Sequence, residues 1–368
     1  MIGEPGRPAL ARGGLGWRRG AGLAAALACA VALSGCSPSG GRGAGGTGTT
    51  GAPVVVGRGG GGPATTRAPA TGGAGGQADR VVVRHGAFPP SEGSGVVASV
   101  SHPGVLWAIR DGGRSERGRP RAALYAYKLV DGRLAEVAPG RTLRAIPVPG
   151  ASNVDWEDIA RDDQGNLWIG DIGDNGCRRR SITLYKLREP DPTGATSAPP
   201  LASYHLRYPD HDPGCRGWDA ESLLVVGGVP YVITKSAFPV VYQASRLDPG
   251  GTATLRRIGG LGSGRTEPLL FPTGADLSGD HRRLAVTTYS TLAVYESSDP
   301  SLSGEALVAD LIGHAARWTL TLGCLLCPVE QLSMVEGVAF TGTGGGHDLT
   351  LLSERHDVWV VPERAYER

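Results

Sequence analysis

The sequence predicts an all-β fold, a β-propeller of four-stranded antiparallel blades, and three observations lead there. A hairpin with polar or acidic residues at its open end recurs five times along the chain. Each copy is followed by one or two further strand-like runs. After residue 36 no amphipathic helical pattern stands out.

The second copy is the template for the others. Glu157-Asp158-Ile159-Ala160 and Leu167-Trp168-Ile169 flank Gln164-Gly165-Asn166, a turn cluster between two apolar runs, which reads as an antiparallel hairpin. The first copy runs from Ser94 to Ala98 and returns through Leu106-Trp107-Ala108-Ile109 to Asp111. The third runs from Glu221 to Val225 and returns through Tyr231 to Thr234, ending at Lys235. The fourth runs from Thr273 to Leu277 and returns through Leu284 to Val286, ending at Tyr289. The fifth runs from Glu336 to Phe340 and returns through Leu349 to Leu352, ending at Glu354. The copies start at 94, 157, 221, 273 and 336, a spacing of 52 to 64 residues, long enough for a four-stranded blade each.

Third strands are expected at Ala123 to Leu129, Ile182 to Leu187, Val240 to Leu247, Leu292 to Tyr295 and Val358 to Val361. Fourth strands are expected at Thr142 to Val148, Tyr204 to Tyr208, Ala253 to Ile258 and Trp318 to Leu322. The last copy has no fourth run of its own; Val81-Val82-Val83, ahead of the first copy, can supply it and close the ring, leaving no open sheet edge. Five blades are visible, with room for a sixth or seventh of degenerate sequence. A β-sandwich is the competing architecture, and it does not account for hairpins with matched ends. Trp107 and Trp168, at equivalent second-strand positions, are expected to pack between blades.

Residues 1–35 read as an export signal. Arg12, Arg18 and Arg19 precede an apolar run from Ala21 to Leu33 that ends at Leu33-Ser34-Gly35-Cys36. That tetrapeptide resembles a bacterial lipobox, which implies cleavage before Cys36, a lipid on its sulfur and anchoring at the outer face of the cell membrane. Residues 36–79 are Gly, Ala, Thr and Pro with little to bury, and read as a disordered tether with a reach of about 35 Å. Residues 80–368 then form one propeller domain. The formal net charge of +2 points to no nucleic-acid partner, and the chain is read as a monomer.

The repeat sorts residues onto one face. Inner-strand starts bring Ser94, Glu157, Glu221, Thr273 and Glu336 together; second-strand exits bring Asp111, Asp171, Lys235, Tyr289 and Glu354. Carboxylates converging on an axis repel unless a cation or a proton intervenes, so Glu157, Asp171, Glu221 and Glu336 are candidate ligands for Ca²⁺ or another hard divalent cation. The alternative is that they cap turns or face channel water. Residues 171 to 176 lack the ligand spacing of an EF-hand. Cys177 and Cys215 fall in loops of neighbouring blades on this face and are expected to pair, and Cys324 and Cys327 are expected to form a local bridge. A four-cysteine zinc site is the remote alternative.

The segments Trp156-Glu157-Asp158-Ile159-Ala160, Asp171-Ile172-Gly173-Asp174-Asn175, Ala220-Glu221-Ser222-Leu223 and Glu336-Gly337-Val338 resemble a group of actinobacterial exported propeller lipoproteins, most without assigned activity. The broader NHL, SMP-30-like and phytase-like propellers include both binding scaffolds and calcium-dependent hydrolases, so the resemblance implies fold more than function. Two functional expectations follow. The first is a binding or scaffold domain that engages an envelope protein, glycan or small ligand. The other is a divalent-cation-dependent hydrolase of an ester, lactone or phosphoester, with Asp174 or Lys235 assisting proton transfer.

Overall fold

In the computed structural model the described residues are 83–87, 92–112, 121–131, 133–209, 218–262, 271–322, 334–342, 346–354 and 357–367. The expected signal, the expected lipid attachment at Cys36 and the expected tether, residues 1–79, lie outside them. No helix among the described residues is long and apolar enough to cross a membrane.

Five mainly antiparallel sheets make five blades. Blade 1 holds β2 (Gly93–Ala98), β3 (Val105–Arg110), β4 (Ala123–Val130), the short β5 (Arg133–Ala135) and β6 (Arg144–Pro147). Blade 2 holds β7 (Trp156–Arg161), β8 (Asn166–Asp171), β9 (Ile182–Arg188) and β10 (Pro200–Arg207). Blade 3 holds β11 (Ala220–Val226), β12 (Val229–Thr234), β13 (Val240–Gln243) and β15 (Arg256–Gly260), and lends β14 (Thr252–Thr254) in parallel to the outer edge of β10. Blade 4 holds β16 (Gly274–Leu277), β17 (Arg283–Thr287), β18 (Thr291–Glu296) and β19 (Trp318–Thr321). Blade 5 holds β20 (Val335–Phe340), β21 (Leu349–Ser353) and β22 (Asp357–Val361).

The fourth strand of blade 5 is β1 (Val83–Ala87), paired antiparallel with β22. The expected closing strand therefore exists, displaced toward the C-terminal side of Val81-Val82-Val83; the first two of those residues lie outside the described set. The inner strands β2, β7, β11, β16 and β20 each pack against the next, and β20 packs against β2. Five blades complete the ring, so the sixth and seventh that the sequence left room for are not needed.

Every blade interface has its own apolar cluster, five in all. Strand alternation supplies one face of each sheet to the cluster on either side. Trp107 and Trp168 are buried, and each indole N–H is satisfied by a carboxylate: Trp107 donates to Glu189 at 2.7 Å and Trp168 to Asp162 at 3.0 Å.

One expectation is corrected here. A helix does follow residue 36: α1 (Gly304–Gly313) joins β18 to β19 and inserts Leu307, Val308, Leu311 and Ile312 into the cluster between blades 3 and 4. At ten residues it is too short for its i, i+1, i+4, i+5 pattern to stand out. A single turn, α2 (Glu363–Tyr366), closes the described part.

Candidate functional site: an acid-lined channel mouth

The channel mouth is built on β-bulges. In β7 Trp156 pairs with Asp171 and Asp158 with Gly170, which leaves Glu157 without a partner across the strand. The same slip isolates Glu221 between Ala220 and Ser222, and Glu336 between Val335 and Gly337. In β2 the shift falls between Gly93 and Val96, around Ser94. A bulge turns its extra residue out of the pleat, so three glutamates at one repeat position leave their sheets and crowd the mouth. In blade 4 the paired register begins one residue later, at Gly274, and Thr273 serves as a brace, its N–H donating to the Thr287 carbonyl at 2.8 Å.

Hydroxyls and two acids stitch the inner strands to each other. Ser94 donates to the Glu157 carbonyl, and Thr273 donates to the Val335 carbonyl at 2.7 Å. Asp158 is fully buried and accepts from the backbone N–H groups of Ile159 (2.9 Å), Leu223 (2.8 Å) and Ala275 (3.3 Å), joining blades 2, 3 and 4. Asp276 does the same for blade 5 through the Phe340 N–H at 2.8 Å. Asp158 is thus part of the ring itself, set below the bulged glutamates.

The sites named from sequence divide into three groups. Glu157 joins Asp111 and Asp155, the three offering carboxylate oxygens within 4.8 Å of one another. Asp111 comes from blade 1 because its loop lies directly on the next blade: a Cβ on Gly112 would sit 2.1 Å from the Val154 carbonyl oxygen. Glu221 pairs with Lys235, whose ammonium also donates to the Tyr289 hydroxyl at 2.8 Å. Glu336 is buried, and burial, then the Glu221 charge, pushes its carboxyl well above the usual carboxylate range.

Asp171 stands apart. It sits one register step before Asp111, Lys235 and Glu354, in the place held by Arg110, Thr234 and Ser353 in the other blades. There it accepts from the Arg179 guanidinium at 2.7 Å and from the Asp155 N–H at 2.9 Å. The step it vacates falls to Ile172-Gly173. A Cβ on Gly173 would lie 2.2 Å from Glu157 Oε1 and 2.6 Å from Asp155 Oδ2, so only glycine leaves those two oxygens their room. Asp174 is a loop builder: its carboxylate accepts from the N–H groups of Arg178 (2.8 Å) and Arg179 (3.0 Å), and its own N–H donates to Asp219 at 2.7 Å.

Burial and mutual repulsion push Asp155, Glu157 and Glu221 upward. Burial, then the neighbouring Asp111 charge, pushes Asp155 up to about 8. Burial, then the Glu221 charge, pushes Glu157 well above the usual carboxylate range. Glu221 rises to about 8 by burial, against the pull of Lys235. Lys235 is held well above its ordinary value, burial notwithstanding, by Glu221 and Glu336. One oxygen of Glu221, Oε2, is buried and has no hydrogen-bond partner among the described residues.

Asp219 is an acid the sequence reading missed. Its signal was present: Asp155-Trp156-Glu157 and Asp219-Ala220-Glu221 share an Asp-x-Glu spacing. The same step in the other blades carries Glu92, Phe271 and Met334, all with left-handed backbone at φ 58, 53 and 59. At this one step the rim is therefore acidic on blades 1 to 3 and apolar on blades 4 and 5. Cys177 is disulfide-bonded, and its partner lies outside the described residues, as do Cys215, Cys324 and Cys327.

Fold and site define a five-bladed β-propeller with an acid-lined channel mouth. No protein-family model matches the chain, and no curated protein does. Among solved structures it is similar to a gluconolactonase from Xanthomonas campestris, at 14% identity over 75% of this chain and 87% of that one, with a TM-score of 0.39. It is also similar to the glutaminyl cyclase of Myxococcus xanthus, at 10% identity over 76% and 94%, TM-score 0.39. A third is the Kuenenia stuttgartiensis hydrazine synthase, at 9% identity over 74% and 71%, TM-score 0.37. The five-bladed ring rests on the sheets of this chain, and its function is argued from its own residues.

Proposed function

We propose that the protein is a lipid-anchored, extracytoplasmic propeller that holds one divalent cation, Ca²⁺ in the first instance, at its channel mouth and binds an oxygen-rich ligand through it. One observation carries this reading: Asp111, Asp155 and Glu157 converge around the space that Gly173 keeps free of a side chain. Two oxygens on opposite sides of Ca²⁺, each at about 2.3–2.6 Å, are about 5 Å apart, which suits three oxygens within 4.8 Å of one another. All the donors are carboxylates, the hard ligands that Ca²⁺ and Mg²⁺ take. The free oxygen of Glu221 is the candidate fourth ligand.

Ca²⁺ takes about six to eight oxygens, so four protein ligands leave open positions for a ligand's carboxylate, phosphate or hydroxyl groups. The half-apolar rim at Phe271 and Met334 suits a ligand with an apolar part. Open positions equally admit water, and on that ground the second reading is hydrolysis of an ester, lactone or phosphoester by a cation-activated water. Asp174, spent on backbone N–H groups, is not the base in that reading; Lys235, fixed between Glu221 and Tyr289, supports it as a standing positive charge.

The test is metal analysis of the purified full chain, with thermal melting in EDTA and in added Ca²⁺. One bound equivalent and a higher melting temperature with Ca²⁺ are expected, whereas no metal and no shift overturn both readings. Turnover of simple esters, lactones or phosphoesters that EDTA abolishes decides for the hydrolase. Anchoring is tested separately: Cys36→Ala is expected to move the protein from the membrane fraction to the medium, and its retention in the membrane removes the lipid from the account.

A further inference from the structure

Where blades 3 and 4 meet, the mouth carries two hydrogen-bond donors side by side. Lys235 follows β12 directly and Tyr289 follows β17 by two residues, so both stand at second-strand exits of neighbouring blades. The Lys235 ammonium is in contact with Glu221 Oε1, donates to the Tyr289 hydroxyl at 2.8 Å and stands 4.8 Å from the centre of that ring. Chemistry fixes the direction of the second bond. An ammonium has three N–H donors and no acceptor, so the phenol oxygen accepts and its own proton is left for another oxygen. Among the described residues no acceptor meets that proton, and the third ammonium N–H has no oxygen partner either. The Lys235 side chain is 13% exposed and Tyr289 is half-buried, so both are reached from solvent. With the two donor atoms this close, one oxygen at about 2.8 Å from each accepts from both.

The surroundings decide what kind of oxygen that is. Glu221 already matches the ammonium charge by contact. Acids flank the pair along the backbone as well: the Asp219 carbonyl accepts the Lys235 N–H at 2.6 Å, and the Tyr289 carbonyl accepts the N–H of Val335, the residue before Glu336, at 3.5 Å. A ligand carboxylate or phosphate placed here would gain the two hydrogen bonds and meet a surplus of negative charge. An uncharged carbonyl oxygen gains the same bonds without that repulsion. The adjoining rim is apolar. Phe238, in the turn after Lys235, is 78% exposed, and Phe271, whose N–H donates to the Ser236 carbonyl at 2.9 Å, is 41% exposed. The Thr234 hydroxyl holds that turn by accepting the Val240 N–H at 2.9 Å. Exposed rings beside a polar contact suit a ligand whose remaining part is hydrocarbon.

We infer that Lys235 Nζ and Tyr289 Oη form a donor pair that binds the uncharged carbonyl oxygen of a ligand with an apolar body, of the lactone, ester or amide type. The inference rests on the reading of this mouth as a ligand site and names the class of ligand. The pair is complete without a cation, so it and the cation site fail separately.

The experiment uses the scarcity of lysine. The chain has three, Lys128, Lys186 and Lys235, so lysine labelled with ¹³C at Cε and ¹⁵N at Nζ gives three side-chain NMR signals, assigned through Lys128→Arg and Lys186→Arg. The full chain is titrated in EDTA, and again in excess Ca²⁺, with ε-caprolactam, a neutral carbonyl on an apolar ring. Cyclohexanecarboxylate, an anion on a similar ring, is titrated in EDTA. Caprolactam is expected to move the Lys235 signal to saturation in EDTA, to leave the Lys128 and Lys186 signals in place, and to bind within about threefold as well in Ca²⁺. The carboxylate is expected to bind more than threefold more weakly. Tyr289→Phe, which keeps the ring and removes the hydroxyl, is expected to weaken caprolactam by about three- to tenfold, the share of one hydrogen bond. No saturable movement of the Lys235 signal, unchanged affinity in Tyr289→Phe, or a carboxylate that binds within threefold of the lactam or tighter overturns the inference. A Lys235 response in a protein that binds no Ca²⁺ supports the donor pair and sinks the cation site alone; Ca²⁺ binding without that response does the reverse, and neither sinks both. If Tyr289→Phe does not fold, the comparison of the two probes on the wild type decides.

Discussion

Gly173→Ala tests the channel mouth without touching any charge. The added Cβ would fall 2.2 Å from Glu157 Oε1 and 2.6 Å from Asp155 Oδ2, where a carbon and an oxygen ordinarily stand about 3.2 Å apart or more. The two carboxylates must yield by about 0.5 to 1 Å, and Glu157, buried at the bulge of β7, has little room to do so. A displacement of that size spoils at least one Ca–O contact of about 2.4 Å, and misplacing supporting groups at metal sites weakens binding by about 10- to 100-fold. That is roughly 1.4 to 2.7 kcal/mol of binding free energy. Calorimetric Ca²⁺ titration of the full chain reads it directly. Gly176→Ala in the same loop is the control, since its Cβ would meet nothing closer than the flexible Arg178 side chain at 3.4 Å. Unchanged Ca²⁺ affinity in Gly173→Ala, or an equal loss in Gly176→Ala, would refute the placement of the cation against Asp155 and Glu157.

Two further outcomes follow from the same geometry. Asp155 sits at about 8 in the folded protein against 3.8 ordinarily. Its raised value favours the protonated fold, so its contribution to stability is present below about pH 4 and is lost as pH rises through 8. Ca²⁺ must displace that proton and the one on Glu157, whose carboxyl is also raised, so apparent affinity should rise by at least about tenfold per pH unit between 6 and 8, with proton release visible in buffers of different ionisation enthalpy; a flat profile would contradict the assignment. Asp158→Ala removes the acceptor for N–H groups on blades 2, 3 and 4 and leaves buried donors unsatisfied, which should cost about 2–5 kcal/mol in urea unfolding while leaving Ca²⁺ stoichiometry at one. A cost below about 1 kcal/mol would mean that the stitch is dispensable.

The architecture was legible because blades repeat. Five hairpins with matched ends, each followed by short strands, admit few folds, and the common position of Glu157, Glu221 and Glu336 was visible in the same alignment. What did not read from sequence is the local departure from period two. A bulge adds a residue without any special composition, and it decides whether an acid faces the channel or its own sheet. Asp171 shows the consequence: one register step places it on Arg179, while Asp111 and Asp155 take up position beside Glu157. Asp158 stands in the most acidic of the five hairpins, yet the backbone N–H groups of Ile159, Leu223 and Ala275 make it a joint between blades. Asp219 stayed hidden although its Asp-x-Glu spacing matches that of Asp155, because only two of the five repeats carry an Asp two residues before the bulge position. The helix α1 was too short to announce itself, and its place depends on the apolar gap between blades 3 and 4, which only the assembled ring reveals.

The central claim is that the acids of the channel mouth exist to hold a divalent cation. Its most direct measurement is the Ca²⁺ stoichiometry of the full chain after exhaustive EDTA treatment and dialysis, alongside Glu157→Gln. One equivalent in the wild type with a loss of at least tenfold in affinity in the variant is the expected result; a wild type that binds no cation, or a variant that binds as well as the wild type, would contradict it.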